Sequence, residues 1–259
     1  MAKKKIKISQ SLMKSLYDYS QGKKCGKLIE EHYVNGVPFP SSETMELGNY
    51  FEFICTGSLA REGYEPKAKT TKKGEPTAKY KLMDEQKLNF DRIMKKYGFK
   101  ILSIDHNFKS KEFSGIADVI AEKDGQKVII DIKTTGLIND KWSDWGWHDE
   151  SLPRNENLLI QAKHYKMLAQ EEWGIENIPF YYVIFSTVNN VDCKIFHIDC
   201  SYETLNYHKL NSYGAIEMLE QYLEEGFSTL PEYKSCIDCP LKESCKDFTD
   251  TPIIKTINL

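Results

Sequence analysis

Residues 114–134 read SGIADVIAEKDGQKVIIDIKT, from Ser114 to Thr134. An Asp-Gly pair between two strand-like runs signals a two-residue hairpin turn, so the stretch folds about Asp124-Gly125 and the turn fixes the register. In that register Asp118 lies opposite Asp131, and Lys133 follows two residues along the same face. One face carries Val119 opposite Ile130, Ala121 opposite Val128 and Ala117 opposite Ile132; the other carries Glu122 opposite Lys127 and the two aspartates. A slip of one residue would scramble this division, so the apolar face supports the pairing.

Two carboxylates facing each other on a sheet, with Cβ atoms ~5 Å apart, repel and destabilise it. A divalent cation removes the conflict, and hard carboxylate oxygens suit magnesium or manganese. The alternative is a solvated sheet end at which Asp118 forms a salt bridge with Lys133. The hairpin by itself leaves both open.

The chain has 259 residues and a net charge of -3. That length suffices for a sizeable core, and the charge neither supports nor excludes a nucleic-acid partner, since a local basic patch can serve where the total cannot. The basic start, MAKKKIKISQSLMKSLYDYS, has no continuous apolar core or small-residue cleavage site, and no run reaches the ~18 apolar residues of a membrane span. The expectation is a cytoplasmic protein with no membrane partner. For a cytosolic chain, seven cysteines argue for metal ligation or burial over a disulfide framework. Cys236, Cys239 and Cys245 follow a Cys-x2-Cys-Pro-x4-Cys pattern, which is a ligand signature.

Ser9 or Ser11 can cap a first helix running to about Tyr19, and a second amphipathic stretch spans Leu28 to Tyr33. Glu43 to about Arg61 reads as a helix with an apolar stripe at Leu47, Phe51, Ile54 and Leu59, and Glu52 lies beside the stripe. The lysine-rich segment 65–82 reads as a basic loop or short hairpin, which a helix from about Met83 to Tyr97 follows. Residues 99–134 alternate as strands, and 136–151 form a loop holding Trp142, Trp145 and Trp147. A helix from about Asn155 to Trp173, strands near 180–188 and 194–198, and a helix from Tyr202 to Glu225 complete the chain. Strands mixed with helices predict an α/β fold whose central mixed sheet is covered by helices on both sides. Three segments are expected: an N-terminal helical segment over 1–42, a core over 43–228, and a cysteine-bearing tail over 229–259.

In the helix after the Trp loop, Gln161 shares a face with Leu158, Ala162, Tyr165 and Ala169, and a glutamine there needs hydrogen-bond partners. Gly115-Ile-Ala-Asp118, then Asp131-Ile-Lys133, then Gln161-x3-Tyr165, resembles the PD-(D/E)XK nuclease superfamily, and the Gln-x3-Tyr element is similar to its RecB-type exonuclease branch. Upstream, the helix with Gly48 one turn before Glu52 resembles that family's first motif. The resemblance implies a restriction-endonuclease-like core and a DNA exonuclease dependent on magnesium or manganese. In that reading Glu52, Asp118, Asp131 and the Ile132 carbonyl hold the ion, while Lys133 orients or deprotonates the attacking water. Gln161 and Tyr165 orient the lysine or the DNA backbone.

In several RecB-type nucleases, AddB-like and CRISPR-adaptation enzymes among them, one cysteine ahead of the motifs joins three after them around a four-iron four-sulfur cluster. Cys25, Cys236, Cys239 and Cys245 fit those places, so the resemblance implies a cluster joining the termini. Four thiolates also make a closed structural zinc site, and the ligands alone do not separate the two metals. Cys55, Cys193 and Cys200 read as core thiols.

Aromatic side chains beside a basic groove can stack bases, so Trp142, Trp145 and Trp147, with Lys141 and Lys163 nearby, are candidates for DNA contact; a small satellite core is the alternative. His148 and His164 lack metal-ligand spacing. The expected substrate is DNA, single-stranded or with free ends, in repair, recombination, phage replication or CRISPR adaptation in a bacterial, archaeal or phage-infected cell. No Gly-x4-Gly-Lys-Ser/Thr motif occurs, so unwinding would fall to a helicase or to a recombination or adaptation partner. The rivals are a structure-specific endonuclease on the same fold and a non-catalytic DNA-binding scaffold.

Overall fold

Asp124 and Gly125 take φ values of 51° and 77°, the two left-handed residues that a type I′ turn requires. Around them β2 (Ile116–Lys123) folds back on β3 (Gln126–Thr135), pairing Val119 with Ile130, Ala121 with Val128 and Glu122 with Lys127. This is the register that the apolar face dictates. The computed structural model describes residues 5–59, 65–143, 146–148 and 156–251, with side chains from 159 onward in the last stretch.

The chain divides into two compact units, residues 41–209 and residues 1–40 with 210–259. In the first, β1 (Lys100–Asn107), β2, β3, β4 (Phe180–Ser186) and β5 (Cys193–Ile198) form one sheet in that order. All neighbours are antiparallel except β3 and β4. A parallel pair needs a crossover, and α5 (Glu156–Trp173) lies in it. The fold is α/β, with a five-stranded mixed sheet flanked by helices.

Strand alternation gives the sheet two different faces. Val119, Ala121, Val128, Ile130, Ile132, Val183 and Phe185 form a core with Leu47 and Phe51 of α3 (Glu43–Thr56) and with Tyr80, Met83, Phe90 and Ile93 of α4 (Ala78–Lys96). The opposite face receives α5, where Tyr165 lies 6.3 Å from the Phe180 ring.

Helix α3 stops at Thr56, short of the expected Arg61, because Gly57 adopts a left-handed φ of 78° and returns its N–H to the Phe53 carbonyl. Arg61, and the expected start of α5 at Asn155, lie outside the described residues. Helix α4 begins at Ala78, before the expected Met83. The lysine-rich segment closes as a short hairpin, with a Thr70–Pro76 bridge and a Thr77 N–H to Lys69 carbonyl bond of 2.8 Å, which delivers the chain directly into the helix. Three of its lysines are engaged with carboxylates: Lys69 with Glu46, Lys79 with Glu43 and Lys81 with Glu75.

In the second unit α1 (Gln10–Ser20) is capped by Ser9, whose hydroxyl accepts from the Leu12 N–H. A short α2 (Gly26–Ile29) continues as a π-helical turn over Glu30–Val34. Tyr19 packs edge-on against Tyr222 of α6 (Tyr202–Glu225), and the Gly26 N–H donates to the Ser228 carbonyl at 3.0 Å, so the two ends of the chain are joined. A Cβ on Gly26 would stand 2.5 Å from that carbonyl oxygen. A last short helix, α7 (Tyr233–Ile237), carries Cys236.

Candidate active site

Beyond the Val119–Ile130 pair, the Asp118 carboxylate accepts the Ile132 N–H at 2.7 Å. This ties the aspartate to the peptide between Asp131 and Lys133. Asp131 is wholly buried; its Oδ1 accepts from Gln161 Nε2 of α5 at 2.6 Å, and its Oδ2 is in ion-pair contact with Lys133 Nζ. The Lys133 ammonium also hydrogen-bonds this buried carboxylate. The expected alternative of a solvated sheet end with Asp118 bridged to Lys133 is overturned, because the strand's alternation places Lys133 on Asp131 instead.

Burial, the Asp131 charge and the Glu52 charge all raise the Asp118 carboxyl well above the ordinary carboxylate range, against the pull of Lys133 and the Ile132 N–H. Asp131 is raised too, by burial, with Lys133 opposing. Burial pushes the Lys133 ammonium down, but Asp131, Asp118 and Glu52 outweigh it and hold the amine in its charged form. Helix α3 therefore brings Glu52 within electrostatic reach of both Asp118 and Lys133.

Gln161 also hydrogen-bonds the Tyr165 hydroxyl one turn along α5. Of the two residues expected to orient the lysine or the DNA backbone, Gln161 holds Asp131, the ion-pair partner of Lys133. Tyr182 escaped sequence reasoning. It is the parallel-strand neighbour of Asp131, buried, with Lys133 Nζ 5.7 Å from its ring centroid. Pairing across a crossover leaves no local signal, and only the apolar run of β4 points to a buried strand.

The tryptophans part company. Trp142 is 79% exposed, with Lys141 Nζ 5.1 Å over its ring, whereas Trp147 is 4% exposed, edge-on to Tyr182 and stacked on Phe196. Trp147 is thus core, which corrects its assignment to DNA stacking; Trp145 lies outside the described residues. Lys163 follows Gln161 by ~200° around the helix and acts on Cys200 and His208, away from the aspartates. His164 is a buried core histidine, its Nε2 3.1 Å from the Ser114 carbonyl and its ring edge-on to His208.

In the unit formed by the chain ends, Cys25, Cys236, Cys239 and Cys245 line one cavity of about 40 Å³. The backbone N–H groups of Leu230, Glu232 and Leu241 point at the sulfurs of Cys25, Cys236 and Cys239, each at 3.4 Å. Burial, and then the other three cysteines, raise the Cys239 thiol, against the Leu241 N–H. Among the described residues no group of three or more His, Cys, Asp or Glu is arranged to hold a metal ion as it stands. In the acidic cluster Lys133 and Gln161 occupy Asp131, and the Ile132 N–H occupies Asp118.

A model of the PD-(D/E)XK nuclease superfamily matches residues 42–246, most of the chain. The chain belongs to the PD-(D/E)XK nuclease superfamily. This nuclease-family chain resembles the structure of a protein from Eubacterium rectale provisionally named an exonuclease, with a TM-score of 0.67 and 19% identity over 98% of this chain and 91% of that one. At that identity the likeness is one of fold. A phage-related exonuclease from Haemophilus somnus aligns over 86% of this chain and 97% of its own, at 15% identity and a TM-score of 0.40. No curated protein sequence matches. Among the described residues no helix is long and apolar enough to cross a membrane.

Proposed function

We propose that the protein is a metal-dependent DNA exonuclease of RecB type. The observation that carries this reading is the meeting of Asp118, Asp131, Lys133 and Glu52 at the end of the β2–β3 hairpin. The donors fit a hard divalent cation. Both carboxyls are raised, Asp118 by burial and then by the Asp131 charge, and Asp131 by burial, a conflict that magnesium or manganese would relieve. Glu52, Asp118, Asp131 and the Ile132 carbonyl would hold the ion, which when bound supplies charge to the phosphodiester oxygens and lowers the pKa of a bound water.

The chain's own residues do the rest. Lys133, kept as an ammonium, would donate to a phosphate oxygen as negative charge builds there, a role its charge state suits better than that of a base. Gln161 fixes the Asp131 carboxylate through Oδ1, and Tyr165 braces Gln161. Exposed Trp142 with Lys141 offers a surface on which an unpaired base could stack.

The four cysteines would hold an iron–sulfur cluster. Four thiols on one cavity, three with a backbone N–H aimed at sulfur, are a donor set that suits such a cluster, in which N–H···S bonds tune the group. Iron and acid-labile sulfide in purified protein would support the cluster, and zinc alone would replace it with a structural zinc site.

The test is digestion of end-labelled linear DNA, single- and double-stranded, beside covalently closed circles, with magnesium or manganese. Linear DNA should be degraded and circles spared, and Asp131→Asn and Lys133→Ala should each lose at least 100-fold in rate. Cleaved circles would indicate an endonuclease. Intact DNA under every condition, bound equally by unaltered protein and Asp131→Ala, would leave only a binding scaffold.

A further inference from the structure

Asp105 lies inside β1 with φ of 48°, the left-handed region, between residues that pair normally with β2: Ile104 with Val119 on one side and His106 with Ala117 on the other. A residue bearing a Cβ avoids that conformation, and a strand gives it no reason to adopt it. The register sets Asp105 across from Asp118. Its carboxylate does not join the acidic cluster; Oδ2 accepts from the Ser58 hydroxyl at 2.5 Å.

Ser58 follows the left-handed Gly57 that ends α3. Its N–H donates to Thr56 Oγ1 at 3.2 Å, and that hydroxyl lies 2.8 Å from the carbonyl oxygens of both Glu52 and Ser58. A continuous hydrogen-bonded path therefore runs from the peptide of Glu52 through Thr56 and Ser58 to the carboxylate on β1. Helix α3 otherwise meets the sheet through apolar packing of Leu47 and Phe51, which fixes its distance but resists sliding along its axis weakly. The polar path supplies that direction.

We infer that Asp105 and Ser58 form a latch that positions Glu52, with Asp105 a positioning residue held in a strained backbone for that purpose. The latch sets where the last turn of α3 stops relative to Asp118. This rests on the reading of Glu52 as a metal ligand. Outer partners of ligands commonly change metal affinity by ~10–100-fold when removed.

Asp105→Gly tests it, since glycine accepts the left-handed φ without strain while removing the carboxylate. Asp105→Asn keeps an acceptor oxygen and tolerates that φ, and Ser58→Ala removes the donor from the other end. Manganese binding without DNA, followed by electron paramagnetic resonance, should weaken about tenfold in Asp105→Gly and Ser58→Ala, with thermal stability unreduced in Asp105→Gly. Asp105→Asn should bind as the unaltered protein does. Amide hydrogen exchange over Glu52–Thr56 should quicken in the same two variants, whatever the protein's activity. Unchanged exchange and unchanged manganese affinity in Asp105→Gly would overturn the latch while leaving the nuclease reading intact. Quickened exchange in those variants, beside an unaltered protein that neither binds manganese nor cuts DNA, would instead sink the nuclease reading, and with it the role given to Glu52.

Discussion

Gln161 illustrates what one side chain can decide. Its Nε2 donates 2.6 Å to the buried Asp131 Oδ1, and the same amide touches Tyr165. Gln161→Leu would leave that oxygen without a donor, a loss of ~1–3 kcal/mol for a buried polar group. Thermal unfolding should register it, and DNA cleavage should fall about 10-fold, less than for Asp131→Asn because no ligand or charge is lost. Equal losses from the two substitutions would mean that Gln161 acts on DNA directly. The sequence places Gln161 on an inward helix face, which says that it must have a partner, but not which one. Asp105 gave no such hint: it simply follows Ile101-Leu-Ser-Ile104, and a backbone angle has no letter of its own.

At the scale of elements, two glycines separate a local requirement from a tertiary one. Gly125 is needed by the turn, with φ of 77°; Gly115 is needed by a close approach, since a Cβ there would meet Leu168 Cδ1 at 2.6 Å and Tyr165 Cε1 at 2.9 Å. Gly125→Ala should cost about 1 kcal/mol of stability and leave cleavage nearly unchanged. Gly115→Ala should push α5 off the strand, and with it Gln161 off Asp131, so cleavage should drop more than melting temperature does. A cleavage loss for Gly125→Ala as large as for Gly115→Ala would contradict this division. The hairpin register was legible because alternation and an Asp-Gly turn both act within twenty residues of chain. The burial of Trp147 was not, because its partners Tyr182 and Phe196 come from strands far along the sequence, and a Trp-rich loop looks the same whether it packs or protrudes.

Across the whole molecule, acid should find a weak point in the buried histidine pair. Burial lowers His164 to about 4, with the Ser114 carbonyl opposing, and burial with His164 and Lys163 lowers His208 to about 3. Both lie below the unfolded value of about 6.5, so the unfolded chain takes up protons first as the medium is acidified. Their stabilising contribution is complete above about pH 6.5 and is lost as pH falls toward 4, by about 1.4 kcal/mol per pH unit for each histidine. Asp118 and Asp131, raised in the fold, act in the opposite sense and lose stability as pH rises. The quantity to measure is therefore the difference between unaltered protein and His208→Phe in denaturant melts at pH 7 and 5. A difference that does not change with pH would remove the histidines as its source. The sequence announces the overall α/β plan through its strand and helix periods, and its cysteine pattern implies that the termini meet, yet contacts such as Tyr19 with Tyr222, within the unit of residues 1–40 and 210–259, carry no local signal.

The ammonium of Lys133 already sits against Asp131. With the cation proposed above, it would act as a built-in placeholder, so residues 41–209 could complete their architecture under metal starvation without exposing an uncompensated acid. Scarcity of the ion would then limit how fast such a protein works, not how much of it survives.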